Sequence, residues 1–77
     1  MPHVIVKMYA GRSDEQKQRM AGDIAKAVMT ALGSQESSIS VAVEEFDPAV
    51  WAEAVYKPDI LEKPAALYKK PGYNPFA

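Results

Sequence analysis

Cysteine is absent from the sequence, which excludes disulfides, zinc–thiolate sites, iron–sulfur clusters and a thiol nucleophile. Histidine is nearly absent: the one copy, His3, excludes a multi-histidine metal centre. Neither sign of charge dominates. Nine Lys and Arg stand against ten Asp and Glu, a formal net charge of −1, whereas nucleic-acid and anionic-membrane modules are ordinarily basic. No apolar run approaches the ~20 residues of a membrane span. The opening Met1-Pro2-His3 lacks the basic stretch and apolar run of a secretory signal. These absences predict a cytoplasmic protein with neither a nucleic-acid nor a membrane partner. The chain is also short. Its 77 residues make one domain, residues 1–77, and a chain of that size buries only about 60% of the surface its unfolded form exposes. With disulfides and metal clusters excluded, a partner subunit is the remaining way to complete a core.

What is present falls into a short pattern. His3–Tyr9 is rich in β-branched and aromatic residues and precedes the turn pair Ala10-Gly11, which predicts a strand. Alternation puts Val4, Val6 and Met8 on one face and His3, Ile5, Lys7 and Tyr9 on the other. Residues 13–32 read as a helix. Ser13 with Gln16 three positions on forms a capping box, Asp14 and Glu15 suit the positive end of the helix dipole, and Gly33 supplies the stop. Met20, Ala21, Ile24, Val28, Ala31 and Leu32 recur at three- and four-residue spacing and make one apolar stripe. After a polar connection at 34–38, residues 39–46 read as a second strand. Ile39, Val41 and Val43 share one of its faces; Ser40, Ala42, Glu44 and Phe46 share the other.

Strand–helix–strand over this length is a βαβ unit with parallel strands and a right-handed crossover, an α+β fold with its body at about residues 2–46. Asp47-Pro48 opens a shorter helical piece to about Tyr56. Lys57-Pro58 is expected to break it, with a further turn or two from Asp59 that Pro64 limits. Residues 69–75 read as an irregular, turn-rich tail. The short helices and tail thus occupy 47–77. Two strands leave open edges. A two-fold dimer, with a four-stranded sheet and both long helices on one face, is the simplest closure.

Chemistry points first to Met1-Pro2. Methionine before a small residue such as proline is normally removed after synthesis, which leaves Pro2 with a secondary amine. An α-amino group ordinarily titrates at about 7.7–8.0, and burial or a nearby cation lowers that value. A base poised near working pH is what proton abstraction requires. By itself, a proline after Met1 also reads as an ordinary N-terminus.

Gly11-Arg12-Ser13-Asp14-Glu15-Gln16-Lys17, with its spacing back to Pro2, resembles the loop-to-helix segment of the 4-oxalocrotonate tautomerase family. The resemblance extends from Pro2 to about Trp51. It implies the βαβ tautomerase fold, a mature Pro2 as catalytic base, Arg12 as the binder of a substrate carboxylate, and Trp51 as an apolar wall just after the second strand. Ser37-Ser38-Ile39-Ser40 and Lys69-Lys70-Pro71-Gly72-Tyr73 resemble the longer PptA-like branch, which implies a dimer rather than the archetypal hexamer. At one position the chain departs from the family pattern. The archetype carries a second arginine in its second strand, and the matching residue here is Ser40, which can hydrogen-bond a carbonyl oxygen but supplies no charge. A monocarboxylate enol fits that loss better than a dicarboxylate. Lys69 and Lys70 read either as a replacement cation or as a solvated pair.

Ketonising an enol moves a proton from oxygen to carbon, and one group that reaches both atoms can carry it. Pro2 is the candidate, Arg12 would clamp the carboxylate over it, and Trp51 would exclude water. No metal or organic cofactor is required. His3 reads either as a hydrogen-bond partner of the substrate oxygen or as an exposed or interface histidine. Trp51 reads equally as core or dimer packing. Glu44 and Glu45 adjoin in a strand, point to opposite faces and cannot act as a carboxylate pair. The leading expectation is a cofactor-independent tautomerase acting on a small 2-hydroxy-enoate or arylenolpyruvate-like substrate. One rival is hydration or hydrolytic dehalogenation of a 3-haloacrylate, which needs a water-activating carboxylate that the sequence does not place beside Pro2. The other is a non-catalytic dimeric binding module, whose function would survive extension of the N-terminus.

Overall fold

Alternating β-branched residues produce two seven-residue strands, β1 (His3–Tyr9) and β2 (Ser40–Phe46). In the computed structural model, which describes residues 1–77, they pair in parallel as a two-stranded sheet. The helix α1 (Asp14–Leu32) lies between them in sequence. No helix is long and apolar enough to cross a membrane. The chain divides into two units, Met1–Glu45 and Phe46–Ala77.

In the first unit, local chemistry sets both ends of α1. The Ser13 hydroxyl accepts from the Gln16 N–H at 3.1 Å, and the Gln16 side chain accepts from the Ser13 N–H at 3.1 Å. Two otherwise orphaned donors are thereby satisfied, worth about 1 kcal/mol for the cap. Gly33 ends the helix in the left-handed conformation, φ 67° and ψ 23°, and donates its N–H to the Met29 carbonyl at 2.9 Å. A residue with a Cβ is strained there, which is why glycine stands at this stop.

The sheet shows two unlike faces. Val4, Val6 and Met8 are half-buried, while Ile5 and Tyr9 remain 50% and 49% exposed. Lys17 of α1 reaches Glu45 of β2 at 2.8 Å, so the helix covers the face that Glu45 shares with Val41 and Val43. The apolar stripe on α1 runs through Met20, Ala21, Ile24, Ala25, Val28 and Met29, all half-buried. Ala31 and Leu32, expected in that stripe, are exposed. The reason is length: nineteen helical residues span about 28 Å, and a seven-residue strand spans about 23 Å. The last helical turn therefore overhangs the sheet. The connection at 34–38 contains a 3₁₀ turn, Glu36–Ser38, and the second strand starts at Ser40, one residue later than expected.

In the second unit, Asp47 accepts from the Ala49 N–H at 2.8 Å and starts a 3₁₀ turn, Pro48–Val50. A π-helical segment, Ala52–Leu61, follows and runs through Lys57-Pro58, where a break was expected. Proline breaks an α-helix because its ring collides with the carbonyl four residues back. In a π-helical turn the bonds reach back five residues, as from the Glu62 N–H to the Lys57 carbonyl at 3.0 Å, so the α-helical rule does not carry over to this segment. The carbonyl left without a donor by Pro58 belongs to exposed Glu53, within reach of water.

Val55 and Tyr56 are the chain's buried hydrophobic residues, at 4% and 5% exposure. The tail folds back onto Tyr56. Tyr73 and Phe76 stack against its ring at 5.3 and 6.0 Å, and its hydroxyl donates to the Tyr73 carbonyl at 3.0 Å. The tail lacks regular structure, as expected, but this aromatic clasp fixes it. The first unit has no fully buried side chain. Complete burial of a large apolar side chain contributes about 1.5–3 kcal/mol, so its hydrophobic stabilisation is thin.

Candidate active site

Parallel pairing brings the first residues of both strands to one end of the sheet. There the Ser40 N–H donates to the Pro2 carbonyl at 3.2 Å. The Ser40 Oγ lies 2.6 Å from His3 Nδ1, on the sheet face opposite α1. Three of the five sequence-predicted site residues, Pro2, His3 and Ser40, therefore meet. Pro2 is half-buried, and Met1 ahead of it is fully exposed. While Met1 is attached, the Pro2 nitrogen is an amide and has no basicity. Removal of Met1 makes it a secondary amine held by the strand behind it.

Arg12 lies at the other end of β1, in the loop before α1. Gly11, at φ 122°, makes the turn that a residue with a side chain adopts only under strain. Arg12 is exposed and has no ion-pair partner. With Val6, Met8, Gln16, Lys17 and Met20 it lines an open cleft of about 400 Å³. Lys17 is the other cation there, but it is engaged by Glu45 at 2.8 Å and Asp14 at 3.4 Å. The Glu45 hydrogen bond chiefly raises its pKa above the usual lysine value, burial opposing it in part. The cleft thus offers one uncommitted guanidinium among apolar side chains, a suitable setting for a carboxylate.

β1 separates Pro2 from Arg12. Seven extended residues cover about 23 Å, well beyond the reach of a small enol. One chain therefore does not bring Pro2 and Arg12 together.

Trp51 belongs to the second unit. Its indole N–H donates to the Tyr73 hydroxyl at 2.9 Å, and its ring meets Phe46 edge-on at 6.2 Å and 81°. The ring is half-buried and held in place, as a pocket wall must be. Lys69 and Lys70 are exposed. Sequence reasoning missed two contacts. Tyr73 stands in the turn-rich tail and in the stretch that resembles the PptA-like branch, and no local pattern marks it as the partner of Trp51. The His3–Ser40 contact was in principle legible, since parallel register places the first residues of both strands side by side.

A family model described as tautomerase enzyme matches residues 2–55. The chain is 44% identical over 77 residues to a probable tautomerase of Xylella fastidiosa (strain 9a5c), covering 100% of this chain and 94% of that protein. It is 41% identical over 75 residues to tautomerase PptA of Klebsiella pneumoniae (strain 342), covering 96% of this chain and 99% of that one. Among solved structures, YwhB, a homologue of 4-oxalocrotonate tautomerase, shares 41% identity at a TM-score of 0.59, over 60% of this chain and 75% of its own.

Proposed function

The chain belongs to the tautomerase enzyme family, and on that premise we propose that its mature form is a cofactor-independent isomerase of small monocarboxylate enols, with Pro2 as general base and acid. The observation that carries this reading is where the family match begins: at Pro2, the residue whose carbonyl Ser40 ties into the sheet. A mature N-terminal amine fixed on a strand has the rigidity that a proton-transferring group needs. The amine takes the enol hydroxyl proton as the C=C electrons shift, and the prolinium returns a proton to carbon. The product is the keto acid, and the amine is free again. Arg12 would hold the substrate carboxylate and Trp51 would wall off the apolar end.

The strand length of about 23 Å between Pro2 and Arg12 supports an assembly that joins them across two chains. A two-fold dimer that lays the free edge of β1 antiparallel against its copy puts Pro2 of one chain beside the Arg12 end of the other. Such a dimer makes a four-stranded sheet with both helices on one face. It also covers edges that a lone two-stranded sheet leaves open.

The test is an ultraviolet ketonisation assay with an arylenolpyruvate and with 2-hydroxymuconate, using protein shown by intact mass to begin at Pro2. The arylenolpyruvate is the expected preference. In Pro2→Ala, kcat should fall by about 10²-fold or more, the scale of general acid–base catalysis. Protein that retains Met1 should be equally poor. A Pro2→Ala rate equal to that of the parent would refute the proline mechanism. Absence of any rate above buffer would move attention to 3-haloacrylates and then to a binding role.

A further inference from the structure

The Ser40 side chain, expected as a direct ligand of the substrate, is engaged by His3. Its backbone N–H is engaged too, by the Pro2 carbonyl. The group at this end of the sheet with a polar atom to spare is His3: Nδ1 meets Ser40, and Nε2 has no partner in the chain. His3 adjoins the proposed base in sequence. Its side chain lies opposite that of Pro2 in the strand alternation, but the Pro2 nitrogen is a main-chain atom at the strand terminus and is not confined to either face.

From this geometry, and resting on Pro2 as the base, we propose that Ser40 is a positioning residue that fixes the tautomer of His3, and that His3 Nε2–H is the neutral donor to the substrate oxygen that Pro2 deprotonates. At 2.6 Å a serine hydroxyl can donate to Nδ1 or accept from it; in the proposed arrangement Ser40 donates. That leaves the ring proton on Nε2. When Pro2 takes the enol proton, negative charge spreads onto the oxygen it leaves. A donor held against that atom lowers the barrier without transferring a proton of its own. His3 ends the cycle as it began, and the proton passes only from oxygen to Pro2 to carbon.

His3 is the one imidazole in the chain, so its ring nitrogens give an unambiguous ¹⁵N signal in the intact protein. Neutral His3 should show the Nε2–H tautomer, and Ser40→Ala should mix the two tautomers. A pure Nδ1–H tautomer in the parent would overturn the proposal. Kinetics give the second arm, on variants shown by circular dichroism and sedimentation to keep the parent fold and assembly. His3→Phe should lower kcat with an arylenolpyruvate by about 10²-fold, the scale of one lost oxyanion donor, with KM within about threefold. His3→Gln, which keeps a neutral donor, should recover much of that loss. Ser40→Ala should lower kcat by about tenfold and Ser40→Thr, which keeps the hydroxyl, should restore it. A His3→Phe enzyme within twofold of the parent would show the pair to be structural. Pro2→Ala run in parallel separates the two ideas: full activity there refutes the proline base, whereas a dead Pro2→Ala beside an active His3→Phe refutes only the role of His3.

Discussion

Arg12 illustrates how a single side chain can be legible in type and hidden in place. A guanidinium just before a helix start sits badly with the positive end of the dipole, and the family resemblance makes it a candidate ligand. In the structure it remains without an ion pair, while neighbouring Lys17 is tied to Glu45 and Asp14. The strand predicted over His3–Tyr9, and found there, already implies that β1 holds Arg12 far from Pro2; what linear sequence does not show is how a second copy would bring the two together. If Arg12 clamps a carboxylate equally in ground and transition states, Arg12→Ala should raise KM and leave kcat nearly unchanged. A charge-assisted hydrogen bond is worth about 1.5–3 kcal/mol, so the rise in KM should be about 10- to 100-fold. Arg12→Lys should recover only part of it, because an ammonium cannot grip a carboxylate bidentately. Steady-state kinetics on the mature enzyme decide this, and an unchanged KM would remove Arg12 from the site.

The elements were legible where the deciding signal was local. The capping box at Ser13, the glycine stop at Gly33 and the period-two pattern of β1 each rest on residues within four positions of one another. The signals failed where a longer distance decided. Ala31 and Leu32 repeat at the helical period yet lie exposed, because the sheet is shorter than the helix. Pro58 carries a rule about α-helices into a segment wound more widely. The tie between α1 and β2 is another such case, since Lys17 and Glu45 are distant in sequence and 2.8 Å apart in the fold. Its energetic signature depends on pH with a definite sign. Lys17 has a raised pKa in the folded state. The stabilisation it brings is therefore fully present below the ordinary lysine range and is lost as pH rises through the raised value. Denaturant unfolding of the parent and Lys17→Met, from pH 7 to 11, should show a constant difference up to about pH 9, shrinking above the ordinary value near 10.5. A difference that does not change at alkaline pH would show that the charge of Lys17 plays no part in holding helix to strand.

Taken as a whole, the molecule has too little interior for its length. Val55 and Tyr56 are buried, the first unit has no fully buried side chain, and Ile5 and Tyr9 on the sheet face opposite α1 stay about half exposed. A short chain without cysteine gains the missing burial most directly from a copy of itself. If folding and association are coupled in this way, stability is inseparable from concentration. The unfolding midpoint should then rise with each tenfold increase in protein, whereas a self-sufficient monomer has a midpoint independent of dilution. The edge used can be tested separately. The Ser40 N–H donates to the Pro2 carbonyl, and in a parallel ladder alternate residues face the same neighbour. The N–H groups of Ile5 and Lys7 therefore point to the free edge of β1, away from β2. Ile5→Pro removes one such donor and leaves the ladder to β2 without a missing bond. If the parent pairs through this edge, sedimentation should find the variant dissociated at concentrations where the parent is associated. Ketonisation should fall with it, because Pro2 would no longer meet Arg12 of a second copy. A dimeric, active Ile5→Pro would instead place the pairing on β2 or on the sheet face opposite α1, and would require Arg12 to reach Pro2 by another arrangement of copies.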